Sequence, residues 1–178
     1  MNLYKKILDW AGWKVDIRIP IPKKCLIAVA PHTSNWDFII GELAIRSVNR
    51  TAGFLMKETW FFFPLGHIFR ALGGIPVPRK RGSDLTAAIV RQFNANSELM
   101  LAVTPEGTRS PVEKWRKGFL FIARDANVPL ILASFDYEKK LILIEKEYKL
   151  TGDIDADIQN IKHYYAPVKG KHPEKFKY

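Results

Sequence analysis

The chain has 178 residues, and 28 Lys plus Arg against 18 Asp plus Glu give it a formal net charge of +10. Hydrophobic residues at 47% and aromatics at 12% exclude a disordered polyelectrolyte, so the charge decorates a folded body of one core-sized domain. A single cysteine, Cys25, excludes an internal disulfide or a Cys-rich metal cage, and the four scattered His offer no paired ligand spacing, so neither metal nor cofactor is expected.

Residues 2–14 place Leu3, Ile7 and Trp10 on one side at three- and four-residue spacing, with Tyr4, Leu8 and Ala11 alongside, and predict an amphipathic helix. Cys25-Leu-Ile-Ala-Val-Ala30 is a continuous apolar run, the pattern of a strand covered on both faces. Pro31-His-Thr-Ser-Asn-Trp36 interrupts it, and a helical pattern follows to about residue 49 with Phe38, Ile39, Leu43 and Ile45 directed inward. Residues 53–56 predict a second strand. The aromatic-rich stretch 60–71, broken by Pro64 and Gly66, is left open. Residues 73–78 read as a turn entering a brief strand, Ser83 caps a helix to about residue 96, and residues 98–104 form a buried strand that stops at Pro105. A helix over 118–127 and a strand over 128–137 follow. An antiparallel return over 140–148, joined by a tight turn near Glu138 and Lys139, precedes a last helix over 153–163. Strands alternating with helices predict a single α/β domain with a largely parallel central sheet flanked by helices and an antiparallel edge hairpin. Within it, residues 1–24 form an N-terminal amphipathic segment, 25–165 the core and 166–178 a basic tail.

His32 and Asp37 directly follow an apolar strand, where open α/β sheets present their working groups. Five residues on a regular helix subtend about 140°, so the two side chains meet only if His32 lies in the turn before the helix. Pro31, Thr33 and Ser34 favour such a turn. There Asp37 can accept the imidazole N–H and fix its tautomer, leaving the other nitrogen to take a proton from a hydroxyl. Taken alone, the pair fits equally an Asp that charges the first helical turn and an ordinary loop His. A second strand end adds Thr104-Pro-Glu-Gly-Thr-Arg-Ser110, where Gly107 can supply an unusual backbone angle and Arg109 can bind an anion bidentately. Cys25, inside the apolar strand, reads as a core residue rather than a nucleophile.

With both strand ends in view, the sequence resembles the glycerolipid acyltransferase family, which includes the 1-acylglycerol-3-phosphate acyltransferases with their His-x₄-Asp motif. The resemblance rests on four blocks in order: His32-Thr-Ser-Asn-Trp-Asp37, Gly73-Gly-Ile-Pro-Val-Pro-Arg79, Pro105-Glu-Gly-Thr-Arg-Ser110 and Val128-Pro-Leu-Ile-Leu132. It implies that His32 is the general base for an acceptor hydroxyl and Asp37 its orienter, with direct attack on an acyl thioester and no covalent enzyme intermediate. It further implies that Arg79 and Arg109, with Lys57 at a similar interval before the second block, hold a phosphate. Glu106, Gly107 and Thr108 would serve acceptor binding and support of their loop. Pro31 stands where the family often has Asn, and Val103-Thr104 where Phe commonly precedes the third block.

The implied reaction is O-acyl transfer to a lysophospholipid, 1-acyl-sn-glycerol-3-phosphate, in phospholipid biosynthesis. The donor would be the thioester of acyl carrier protein or coenzyme A, a substrate and not a cofactor. A lipid hydroxyl lacking glycerol phosphate is the alternative acceptor within the family. From a different class, +10 would suit a basic nucleic-acid-binding module, but no such motif is recognisable and no nucleic-acid partner is expected. Residues 1–9 lack the apolar core of a signal peptide, and the longest charge-free stretch, 25–36, falls short of the roughly 20 residues a spanning helix needs. Longer family members carry hydrophobic N-terminal anchors, so attachment here is expected to be weaker or differently built. The expected location is cytoplasmic, peripheral to the inner face of the cell membrane. Trp10 and Trp13 with Lys5, Lys6 and Lys14, the stretch from Trp60 to Gly66, Arg79-Lys-Arg81 and the basic tail are the candidate contacts with an anionic membrane surface.

Overall fold

The computed structural model describes residues 2–77 and 85–178. Arg79 and Ser83, to which the sequence assigns anion binding and a helix cap, lie outside the described residues, as does the Arg79-Lys-Arg81 cluster.

Asn2 caps the first helix, α1 (Leu3–Trp10), by accepting the Lys5 N–H at 3.0 Å. Its own amide group donates to the carbonyls of Arg46 and Ser47, at 2.8 and 3.0 Å, tying the start of α1 to the end of α2 (Trp36–Ser47). The helix expected over 2–14 ends early because Gly12 adopts φ +80°, a left-handed angle that suits glycine. Residues Lys14–Ile17 then form a strand, β1, that the sequence reading missed. Trp13 is consequently buried rather than on the helix surface. On α2, Ile45 is buried as expected, together with Ile40 and Ala44, while Ile39 is exposed, because the helix packs on α1 as well as on the sheet.

Six further strands complete the sheet: β2 (Lys24–Val29), β3 (Gly53–Lys57), β4 (Gly74–Val77), β5 (Leu99–Val103), β6 (Leu130–Asp136) and β7 (Leu141–Tyr148). Their order is β1-β7-β6-β2-β5-β3-β4, parallel throughout except that β6 and β7 are antiparallel and β1 follows β7. The hairpin therefore has β1 outside it as the edge strand. Period-2 alternation sorts the strands between two cores. Leu26, Ala28, Leu101 and Leu132 pack under α4 (Leu85–Ala95), α5 (Gly118–Asp125) and α6 (Ile154–Tyr165), whereas Cys25, Ile27, Met100 and Ile131 face the side of α2. Phe93 and Leu120 are wholly buried on the first side, where truncation to Ala costs about 2–5 kcal/mol. The buried Tyr165 hydroxyl donates to the Ala28 carbonyl at 2.7 Å, tying α6 to the central strand. The open stretch after β3 resolves into a 3₁₀ turn, Glu58–Trp60, and a short helix, α3 (Leu65–Ala71).

Candidate active site

β2 and β5 are hydrogen-bonded neighbours in the middle of the sheet, with Ala28 opposite Val103. The loops that leave their C-terminal ends, carrying His32 and Glu106, therefore emerge side by side. The Glu106 carboxylate accepts the backbone N–H of His32 at 2.8 Å, joining the two motifs directly. Arg109 reaches across the same gap, its guanidinium donating to Oδ1 of Asn35.

His32 lies in the turn before α2, and its Nδ1 is 3.1 Å from Oδ2 of Asp37. That oxygen also accepts the N–H groups of Thr33 and Ser34 at 2.8 and 2.9 Å, so the turn wraps around the carboxylate. Oδ1 accepts the Tyr137 hydroxyl at 2.6 Å. Burial pushes the Asp37 carboxyl up. Hydrogen bonds from His32, Tyr137 and the Ser34 amide outweigh burial and hold it below the ordinary carboxylate range. An ionised carboxylate only accepts, so Nδ1 of His32 carries the proton and Nε2 is left with a free lone pair. Asp37 is 3% exposed and His32 19%, which puts the carboxylate inside and the imidazole nearer the surface.

Glu106 is buried, and among the described residues its Oε2 has no hydrogen-bond partner. Burial pushes its carboxyl up to about 7, against the opposing pull of the hydrogen bond from the His32 amide. Gly107 is exposed at φ +65°, and the Arg116 side chain fills the space a Cβ would need, 2.9 Å from that position. Thr108 stays within its loop, accepting the Ser110 N–H at 3.2 Å. Lys57 ends β3 at the same sheet edge, exposed, without a hydrogen bond to the His32 turn. Cys25 is buried in β2, and burial pushes its thiol up to about 12, as an inert core residue requires. Among the described residues no group of three or more His, Cys, Asp or Glu is placed to hold a metal.

Sequence reasoning missed Tyr137 and Asn35. Asn35 had a local signal, as the polar residue just before α2 inside the motif. Tyr137 had none, because it lies 100 residues from Asp37 and reaches it only through the β2–β6 pairing.

The chain is 30% identical over 135 residues to the probable 1-acyl-sn-glycerol-3-phosphate acyltransferase of Mycoplasma pneumoniae (strain ATCC 29342 / M129), covering 67% of this chain and 48% of that protein. It thus spans about half the length of that curated relative. The crystal structure of the 1-acyl-sn-glycerophosphate (LPA) acyltransferase PlsC from Thermotoga maritima superposes with a TM-score of 0.58 at 20% identity, over 92% of this chain and 76% of that one. At that identity the likeness is one of fold: a single α/β domain with a mostly parallel sheet. The family model described as Acyltransferase matches residues 14–135, from the start of β1 almost to the end of β6 and across the His32–Asp37 and Glu106–Arg109 loops, and the chain belongs to the acyltransferase family.

Proposed function

We propose that this protein transfers a fatty acyl group from a thioester to the hydroxyl of a lysophospholipid, 1-acyl-sn-glycerol-3-phosphate, in phospholipid biosynthesis. The observation that carries the reading is the His32–Asp37 pair, with Nδ1 held by an ionised carboxylate and Nε2 free at the mouth of two adjacent loops. Nε2 takes the hydroxyl proton as the acceptor oxygen bonds to the thioester carbonyl. The resulting imidazolium is stabilised by Asp37. Collapse of the tetrahedral intermediate breaks the C–S bond, and the imidazolium returns the proton to the departing thiolate. Arg109, with Lys57 and Arg79, supplies positive charge for the acceptor phosphate. The donor is acyl carrier protein or coenzyme A as its acyl thioester, and the basic surface suits either anionic partner.

Docking on a membrane fits the same end of the molecule. Among the described residues no helix is long and apolar enough to cross a bilayer. The sheet edge that carries His32 is instead rimmed by exposed aromatics: Trp10 at 90%, Phe63 at 82%, and Trp36, Trp60 and Phe62. Lys57, Arg109, Lys139, Lys140 and Lys171 are exposed along the same edge, with Lys171 over the Trp36 ring at 5.0 Å. Aromatic rings beside cations suit the headgroup layer of an anionic membrane, so the enzyme sits peripherally on the inner leaflet with the His32 site turned toward its lipid substrate.

The test is thiol release from acyl-coenzyme A and from acyl carrier protein thioester, with and without lysophosphatidic acid, for the wild type and His32→Ala. Acceptor-dependent release that falls at least about 1,000-fold in the variant is the expected result, as for loss of a catalytic base in an acyl-transfer site. Undiminished release in a folded His32→Ala protein overturns the mechanism. Transfer to a different lipid hydroxyl, with none to lysophosphatidic acid, overturns the acceptor.

A further inference from the structure

The two oxygens of Asp37 are used unequally. Oδ2 takes three donors, Nδ1 of His32 and the amides of Thr33 and Ser34. Oδ1 takes one, the Tyr137 hydroxyl at 2.6 Å, a short bond of the charge-assisted kind. Tyr137 is the first residue after β6 and is itself held from two other directions. Its ring meets Trp13 edge-on, with centroids 4.9 Å apart at 90°, and its backbone N–H donates to the Lys169 carbonyl at 2.8 Å. The β6–β7 turn, the start of β1 and the C-terminal segment thus converge on one phenol. Burial, and then the Asp37 carboxylate, push that phenol up, so it remains a donor across the working pH range.

We infer that Tyr137 is a positioning residue for the His32–Asp37 pair, setting through Asp37 both the orientation and the basicity of the His32 imidazole. The orientation follows from geometry: a carboxylate anchored at both oxygens cannot rotate about its Cβ–Cγ bond, so Oδ2 stays in line with Nδ1. The basicity follows from charge. A donor on Oδ1 draws part of the carboxylate's negative charge away from Oδ2 and weakens its pull on the Nδ1 proton. The other polar groups around the imidazole are Glu106 from the loop after β5, Arg109 through Asn35, and His172, whose backbone N–H donates to Thr33 Oγ1 at 3.2 Å. None of these touches Oδ1, so removal of the Tyr137 hydroxyl isolates one effect.

The inference concerns the site read above as acyltransferase machinery, and its first test does not need turnover. The His32 ring is followed by NMR through a pH titration in the wild type, in Tyr137→Phe and in Tyr148→Phe. Tyr148 donates to Asp157 at 2.9 Å away from the site and controls for loss of a buried phenol hydroxyl. Tyr137→Phe is expected to move the imidazole midpoint upward by about half a pH unit, the scale of one charge-assisted hydrogen bond passed on through a carboxylate. Tyr148→Phe is expected to leave it in place. An unmoved midpoint in Tyr137→Phe, or equal movement in both variants, overturns the inference. In the wild type, the Tyr137 hydroxyl proton should also give a slowly exchanging downfield resonance that Asp37→Asn abolishes; its absence overturns the inference without any Phe variant. Where turnover is measurable, Tyr137→Phe should lower kcat about 5- to 30-fold, shift the acid limb of kcat/KM upward and leave the acceptor KM within about twofold. A wild type inert toward every acceptor removes the proposed reaction, while the titration still decides the role of Tyr137.

Discussion

Glu106 uses one carboxyl oxygen to hold the His32 backbone and keeps the other buried without a partner among the described residues. Its folded value of about 7 lies above the ordinary carboxylate value, so the native state binds the proton more tightly than the unfolded chain. Stability therefore falls as pH rises from the unfolded value through about 7, and the fall is complete above it. Asp37 runs the other way. Its depressed value contributes stability that is present above the unfolded value and lost as pH falls through the folded one, a window more acidic than that of Glu106. Glu106→Gln removes the first dependence and keeps an acceptor for the His32 amide. Denaturant unfolding at pH 5 and pH 8 should show the wild type losing on the order of 3 kcal/mol relative to Glu106→Gln between the two conditions. A parallel response of the two proteins would remove the buried carboxyl from the account.

Among the elements, the C-terminal segment that follows α6 behaves as a strap under the His32 turn. Its Lys169 carbonyl accepts from Tyr137, its His172 amide donates to Thr33, and Trp115 Nε1 donates to the Lys177 carbonyl at 3.3 Å. Gly170 is buried where the strap crosses the turn, and a Cβ there would lie 2.9 Å from Thr33 Oγ1 and 3.1 Å from Pro31 Cβ. Gly170→Val should push the strap and the His32 turn apart. The expected outcome is a roughly tenfold or larger loss of kcat with a stability loss of about 1–3 kcal/mol, the range for overpacking a close contact. Thermal unfolding together with steady-state kinetics checks it, and wild-type turnover in the variant would show that the turn does not depend on the strap. The reading of residues 166–178 as a basic tail saw charge and missed Gly170 and Phe176, because contacts made by a single glycine or aromatic leave no periodic trace. At the other end, the spacing that predicts α1 is correct for its helical turns, but Leu8, rather than Leu3, Ile7 or Trp10, is the residue buried. Gly12 and the pairing of β1 with β7 turned Trp13 inward.

On the scale of the whole molecule, the antiparallel hairpin and the crossover order put the start of β1, the His32 turn, the Glu106 loop and the end of β3 on one edge. Trp10 and the Trp60–Phe63 aromatics, far apart in the chain, therefore belong to one rim. Each Lys or Arg near an anionic surface contributes about 1 kcal/mol, so binding through this rim should depend on both lipid charge and salt. Co-sedimentation with phosphatidylglycerol–phosphatidylcholine vesicles should show binding that weakens at least about tenfold between low and high salt, and likewise in a Trp10→Ser, Phe63→Ser double variant. The double variant should retain turnover with a short-chain, water-soluble acceptor. Equal binding to pure phosphatidylcholine, or a variant that binds like the wild type, would turn the rim toward another partner.

Most of the strand and helix alternation, the +10 charge and the motif residues at both strand ends were legible in the sequence. Those are local properties: apolar periodicity, a turn before a helix, a glycine in a loop, a motif of fixed spacing. Which strands became neighbours was settled by packing across the whole chain. Placing β2 between β5 and β6 brought Glu106 to the His32 amide and Tyr137 to Asp37, and placing β1 beyond β7 buried Trp13 against that phenol. Strand order follows from burying both faces of one sheet under helices from distant parts of the chain. That is a global packing requirement, and no window of sequence contains it.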